Sequence, residues 1–288
     1  MDIVITGGTG FLGREFIKSR KNDSITVITR GNGKNEDDIS YVSWSQLERL
    51  KRADVVINFA GFPLASKKWN PDIKKEIYES RISTTSKVVE FMKGLKEPPK
   101  LFMSGSAVGY YGTSLTEKFT ENSSPGSGYL AGVCVDWEKE ALAAKSITRT
   151  VLIRTSSVIS LNGGFMPNII QKKIHSIPYF GNGMQWISWI YITDFIAAMN
   201  FIIESDLEGA VNMCTPEAIR FKEFSRKAAE SLGYFSVKVP ERIGELILGR
   251  EMFHEVMGGQ NVLPEKLLDK KFIFKFPKID DALEDMKK

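Results

Sequence analysis

The first thirteen residues, MDIVITGGTGFLG, constrain the fold more than any other stretch. Ile3-Val4-Ile5 is a β-branched run suited to a strand buried on both faces. It enters Thr6-Gly7-Gly8-Thr9-Gly10-Phe11-Leu12-Gly13, after which Phe11, Leu12, Phe16 and Ile17 fall at helical spacing. A strand feeding a glycine-rich turn that opens a helix is the context a dinucleotide site needs. One glycine permits the tight turn, one lets a pyrophosphate approach the backbone, and one lets helix and strand pack closely. The free N–H groups and the positive end of the helix dipole then hold phosphate. Gly7, Thr9, Gly10, Phe11, Leu12 and Gly13 are therefore expected to bind the cofactor.

The bulk properties exclude several other classes. The 288 residues are 42% hydrophobic and 26% charged, ordinary values for a globular chain. A net charge of +4 without a basic block gives no nucleic-acid signature. No apolar run approaches the roughly 20 residues of a membrane helix, and the start reads as a strand rather than a signal peptide. Cys134 and Cys214 show no metal spacing, and with only His175 and His254 a histidine-based zinc site is not expected. A cytoplasmic location is the default reading.

The spacing Gly7-x-x-Gly10-x-x-Gly13 resembles the extended branch of the short-chain dehydrogenase/reductase superfamily. The second strand, 24–29, ends at Thr29-Arg30, where NAD-specific proteins carry an acid for the ribose 2′-hydroxyl. An arginine offers a planar fork for a 2′-phosphate, so NADP (NADPH) is expected over NAD, with Lys34 close by. The alternative is a solvated arginine at a strand tip. Residues 31–40 read as a loop, 41–44 as a third strand, and Ser45 as a helix cap. A fourth strand, 53–58, ends in Asn58-Phe59-Ala60-Gly61, which resembles the superfamily's N-x-A-G motif, whose small residues let backbone approach cofactor. A helix is expected over 73–92, with Pro71 in its first turn.

Further along, a strand at 101–103 leads into SGSAVGYYG, where Ser106 occupies the position that binds the substrate's reacting oxygen in extended reductases. A helix starts at Tyr129, which fits the tyrosine of the superfamily's Y-x-x-x-K, but Val133 stands at the lysine position. That lysine ordinarily lowers the tyrosine pKa. An unperturbed tyrosine, with a pKa of about 10, is only ~0.1% ionised at pH 7. Tyr129 then either donates a proton as a neutral phenol or simply packs in the cleft. Strand 151–154 continues through Thr155–Ile159 towards the nicotinamide side. Residues 160–185 read as an inserted segment covering the site, and Thr193 or Asp194 as the cap of a helix to about 203. A strand 210–213, helix 221–232, strand 236–239 and helix 241–248 follow, and Gly258-Gly259-Gln260 reads as a structural turn.

Together, GGTGFLG, VITR, NFAG, ESR, SGSAVGYYG, the YLxxVCxxWE helix, GxGxQxxxWIxIxD and GGQxVLP resemble the YfcH-like "epimerase family" subgroup over essentially the whole chain. The resemblance implies cofactor contacts from Thr29, Arg30, Phe59, Ala60, Glu76, Arg81 and Val158, and makes loss of the lysine a subgroup trait. The expected fold is α/β, a Rossmann-type doubly wound parallel sheet with a small C-terminal α+β substrate-side lobe. Residues 1–160, with 186–208 returning to them, form the NADP-binding part; 161–185 and 209–288 form the smaller lobe. Two functions stay open. One is an NADP-dependent oxidoreductase or epimerase for a small hydroxyl- or carbonyl-bearing, nucleotide-sugar-like substrate, with Ser106 and Tyr129 catalytic. The other is a non-catalytic NADP-binding sensor or scaffold. Homodimerisation through helices flanking the site is common in the superfamily.

Overall fold

In the computed structural model, which describes residues 1–287 apart from 32, 34, 36 and 37, the opening pattern becomes β1 (Asp2–Thr6) and α1 (Phe11–Lys18). Lys34 lies outside the described residues. There follow β2 (Ser24–Ile28), β3 (Ile39–Val42), a 3₁₀ turn (Trp44–Arg49), β4 (Val55–Asn58) and α2 (Pro71–Lys93). Then come β5 (Leu101–Ala107), β6 (Lys118–Phe119), α3 (Tyr129–Leu142), β7 (Arg149–Thr155) and β8 (Ser157–Ile159). The central sheet has seven strands in the order β12-β7-β5-β4-β1-β2-β3, with β12 at Gly209–Met213. Every pairing in it is parallel.

Parallel strands covered on both faces carry near-continuous apolar runs. Ile3, Val4 and Ile5 of β1 and Val55, Val56 and Ile57 of β4 are accordingly buried. One face packs Phe16 of α1 with Phe195, Met199 and Ile202 of α5 (Ile192–Glu204). The other packs Val88, Val89 and Met92 of α2 with Ala141 of α3. A separate core, built on Trp189, Phe221, Phe224 and Ile177, holds the remaining segments. These include β9 (Ser176–Phe180), which pairs with β14 (Phe235–Val239), and α6 (Phe221–Leu232). Helices α7 (Glu241–Leu248) and α8 (Arg250–Met257) follow.

Several local expectations shift. The third strand is 39–42, so two residues of the expected loop join the sheet, where Ile39 pairs with Ile25. Ser43 rather than Ser45 starts the next turn, because Gln46 folds back to accept the Ser43 N–H at 2.8 Å. Neither Thr193 nor Asp194 caps α5, whose cap position is Tyr191. The buried Asp194 carboxylate instead accepts the backbone N–H groups of Lys275 and Phe276 at 2.9 and 2.8 Å. Strand 209–213, expected to open the smaller lobe, is an outer strand of the main sheet beside β7, since α5 carries the chain back to that edge. Segment 160–185 packs largely into the second core and meets the glycine loop where Gly163 lies against the Phe11 ring. The GGQ turn is tied through its backbone, with Gly259 O accepting from Ser114 N and Gln260 O from Ser188 Oγ.

The sheet's amino-terminal edge carries a pH-sensitive contact. Asp54 accepts the Asp2 N–H at 2.9 Å and pairs with Arg52 and Lys100. The Asp2 N–H leads in holding this carboxyl below the ordinary carboxylate range, with the Arg52 pair assisting and burial opposing. A folded-state pKa below the unfolded value of about 3.9 gives stability that is present above that value and lost as pH falls through the folded one. Asp54→Asn is therefore expected to cost about 1 kcal/mol in urea unfolding at pH 7. The gap between the two proteins should close as the pH falls below about 4.

Candidate functional site

The cleft lies where strand order reverses, over the carboxyl ends of β1 and β4, the usual ligand crevice of an open α/β sheet. Gly7, at φ +72°, brings the two strand ends together: a Cβ there would sit 2.6 Å from the Phe59 carbonyl carbon. At Gly13 a Cβ would sit 2.4 Å from Gly7 O, so α1 packs tightly on the turn it leaves. Gly10 N–H donates to Gly7 O at 2.9 Å, which closes the turn. The first N–H groups of a helix have no acceptor within it and are free for an anion.

A buried chain of side chains underpins this junction. Asn58 Oδ1 accepts Thr6 Oγ1 at 2.5 Å and Ala60 N–H at 3.2 Å. Asn58 Nδ2 donates to Thr85 Oγ1 at 2.8 Å, and Trp137 Nε1 donates to the same hydroxyl at 2.9 Å. Thr85 passes its own proton to Arg81 O at 2.7 Å. Asn58, expected to touch cofactor, lines neither cavity described below and acts by holding the loop that does.

Two cavities flank the glycine turn and share Gly7, Gly10 and Phe59. The larger, about 790 Å³, runs from Thr9 to Thr29 and Arg30 at the end of β2, and is walled by Ala60, Gly61 and Glu76. Arg30 is exposed, and Asp72 and Glu79 of α2 join Glu76 in lining the cavity. The smaller cavity, about 280 Å³, is mostly apolar: Phe11, Leu12, Gly13, Val133 and Trp137 line it with Ser106, Thr155 and Arg81. The arrangement fits a dinucleotide, with an open polar half, an apolar half and a helix N-terminus between them. Among the described residues no group of His, Cys, Asp or Glu is placed to hold a metal ion, and no helix is long and apolar enough to cross a membrane.

The structure does not bring all the expected site residues together. Val158 is a buried core residue packed among the sheet's side chains, and lines neither cavity. Tyr129 lines neither cavity as well. Its hydroxyl donates to Lys74 O on α2 at 2.5 Å, and its ring meets the Trp69 ring edge-on at 5.2 Å. Burial pushes the phenol above its ordinary value, and the Arg81 charge opposes this only in part. Glu255 of α8 sets where this helix begins: its carboxylate accepts the N–H groups of Tyr129 and Leu130, each at 3.0 Å. Arg81 does reach the cleft, with Nη1 donating to Phe62 O and Ile77 O at 3.2 and 2.9 Å. Burial lowers its pKa from the ordinary arginine value. Cys134 is a buried wall residue whose thiol burial pushes up to about 12, which makes it unreactive.

Sequence reasoning passed over the polar group behind Ser106. Ser106 Oγ donates to Glu138 Oε1 at 2.7 Å, and Glu138 is gripped by Arg154 through Nε at 2.7 Å and Nη2 at 2.8 Å. Arg154 Nη1 continues to Tyr111 OH at 2.8 Å, and Tyr111 donates to Asn212 Oδ1 at 2.7 Å. Burial works against the Arg154 charge, but the hydrogen bonds and charge of Glu138 outweigh it and hold its pKa above the ordinary value. Burial also raises Tyr111 to about 12, with Arg154 opposing. The available signal was the i, i+4 spacing of Cys134 and Glu138 on α3, together with an arginine directly after the apolar run Val151–Ile153 of β7.

Comparison with known proteins agrees with this geometry. Residues 3–214 match the model of the NAD dependent epimerase/dehydratase family, and residues 239–286 match a domain of unknown function. The chain is 35% identical over 309 residues to the chloroplastic epimerase family protein SDR39U1 homolog of Arabidopsis thaliana, covering 98% of this chain and 86% of the relative. It is 35% identical over 294 residues to the epimerase family protein SH2119 of Staphylococcus haemolyticus, covering 98% of each. Among solved structures, human epimerase family protein SDR39U1 with NADPH superposes with a TM-score of 0.92 at 25% identity, over 99% of each chain. UDP-glucose 4-epimerase of Thermotoga maritima, at 16% identity and a TM-score of 0.79 over 99% of this chain and 96% of its own, shares the fold. With a seven-strand parallel Rossmann-like sheet, a glycine turn at its switch point and a family match over residues 3–214, this chain belongs to the NAD-dependent epimerase/dehydratase family.

Proposed function

We propose that this protein binds NADP(H) across the glycine turn and is an oxidoreductase- or epimerase-type enzyme for a small hydroxyl- or carbonyl-bearing substrate. One observation carries the cofactor preference: Arg30 stands at the end of β2 and lines the larger cavity, where an NAD-specific site places an acid. The human SDR39U1 structure, solved with NADPH, supports the same reading. Thr29 and Arg30 in the larger cavity would hold the adenosine half and its 2′-phosphate, Gly10–Gly13 the pyrophosphate, and the smaller cavity the nicotinamide half. The bound cofactor supplies hydride chemistry, while the chain orients the reactants and excludes water.

Within that reading Ser106 is the side chain that meets the reacting oxygen, because it faces the smaller cavity. Tyr129, hydrogen-bonded to the Lys74 carbonyl, is a structural residue that fixes α3 against α2. This placement, with Val133 in the cavity wall where the superfamily has lysine, favours as a second reading an NADP-binding protein without turnover.

Three measurements test these assignments. Denaturing release followed by mass spectrometry should yield NADP or NADPH from the purified protein. A nucleotide-free protein that also fails to take up added NADPH overturns the cofactor reading. Arg30→Ala should weaken NADPH binding about tenfold and leave NADH binding nearly unchanged, since it removes one charge-assisted contact at an exposed site. An equal loss for both nucleotides would remove the 2′-phosphate assignment. Tyr129→Phe should lower stability by about 1 kcal/mol, through the lost hydrogen bond to the Lys74 carbonyl, without changing NADPH affinity. A loss of turnover at full stability would instead return Tyr129 to the chemistry.

A further inference from the structure

The Ser106 hydroxyl has one proton, and the structure shows where it goes. Glu138 Oε1 takes it at 2.7 Å, and the same oxygen accepts Arg154 Nε at 2.7 Å. Glu138 Oε2 accepts Arg154 Nη2 at 2.8 Å, which completes a two-pronged pair. A carboxylate held in this way accepts and does not donate, so Glu138 cannot return a proton for Ser106 to accept. Arg154 cannot turn towards the cavity either, because its Nη1 is bound to Tyr111 OH and Glu121 O and its face lies 3.5 Å from the Tyr110 ring centroid. Parallel register places Ser106 directly beside Arg154 on the neighbouring strand, and α3 lays Glu138 over both.

The three residues are buried, with relative exposures of 4% for Ser106, 5% for Glu138 and 4% for Arg154, and of these only Ser106 lines the cavity. Buried ion pairs are poor sources of net stability, since well-packed apolar residues often serve as well. Orienting Ser106 is a role an apolar replacement would not fill. The second hydroxyl of the wall, Thr155 Oγ1, makes only a long 3.3 Å contact with Ile153 O, so Ser106 is the hydroxyl held firmly. Ser106 therefore faces the cavity as an acceptor.

We propose that Glu138, backed by Arg154, is a positioning residue that holds Ser106 as an acceptor-only group, so that the smaller cavity selects a ligand presenting a donor, an alcohol rather than the corresponding carbonyl compound. The inference rests on the smaller cavity being the reacting half of the cleft, and it names the substrate class for that half. A ketone oxygen brought to Ser106 would meet lone pairs against lone pairs. An alcohol donates its O–H to Ser106 Oγ, and the hydrogen bond forms without displacing the Ser106 proton from Glu138.

The probes are cyclohexanol and cyclohexanone, titrated by ligand-observed NMR against the nucleotide-free full-length protein, so that no turnover intervenes. The alcohol is expected to bind about tenfold more tightly than the ketone, the worth of one well-made hydrogen bond. Ser106→Ala leaves the Glu138–Arg154 pair intact and should bring the ratio to about one. Glu138→Gln, whose amide can donate to Ser106 and release its proton towards the cavity, should do the same or favour the ketone. Equal or tighter ketone binding in the native protein overturns the proposal and points to Arg81 as the recognising group. So does an alcohol preference that survives Ser106→Ala, or an absence of measurable alcohol binding. If Glu138→Gln does not fold, the Ser106→Ala ratio decides. NADPH affinity of the native protein, measured separately, shows whether the cofactor reading itself stands.

Discussion

The cleft depends on one buried hydroxyl. Thr85 is fully enclosed, accepts from Asn58 and from Trp137, and donates to the Arg81 carbonyl. Through Asn58 it reaches Thr6 at the end of β1 and Ala60 in the loop after β4. Through Trp137 it reaches α3. The glycine turn, the loop after β4, α2 and α3 are thereby registered to one point, and each side chain of the network finds its partners within it. The close backbone approach at Gly7 is tolerable because these bonds hold both strand ends in place. An unpaired amide or hydroxyl at this depth would cost about 1–3 kcal/mol, so the network is all or nothing.

Much of this was legible, for reasons that are local. A buried parallel strand needs an apolar run, a helix start needs a cap or a proline, and a dinucleotide turn needs glycines at fixed spacing. Hence β1, α1, α2 and α3 fall close to where patterning puts them. Arg30 lines the larger cavity because it follows a strand end, where chain order alone decides what it faces. The residues whose surroundings the sequence left open answer to contacts made across the fold. Nothing local to Tyr129 says that its phenol meets the Lys74 carbonyl rather than the cavity. Nothing near Asp194 announces Lys275 and Phe276 as its partners. Val158 continues β7's direction on paper, yet a parallel pairing with β11 (Trp189–Tyr191) turns it into the core.

The pair Glu138–Arg154 shows the same limit from the other side. Its members are 16 residues apart and belong to a helix and a strand, so no periodicity joins them. Their partnership follows from sheet register, which places Arg154 level with Ser106. An arginine that follows the apolar run Val151–Ile153 and is itself buried is nonetheless a conspicuous departure, and such a residue marks a position where something other than packing is being served. Here the surrounding groups, from Tyr110 to Asn212, keep that cation still, and the beneficiary that touches the cavity is a single hydroxyl.

Glu255 carries a consequence for how the molecule is assembled. The helix that walls the smaller cavity has its first two N–H groups satisfied by a carboxylate more than a hundred positions later in the chain. Asp194 likewise waits for the backbone of residues 275 and 276. A ribosome extruding this chain therefore completes the seven-stranded sheet well before the start of α3 and the start of α5 are secured. During that interval the α3 wall of the smaller cavity still lacks Glu255 at its start. The region matching the domain of unknown function thus supplies the contacts that finish two helix starts of the family domain.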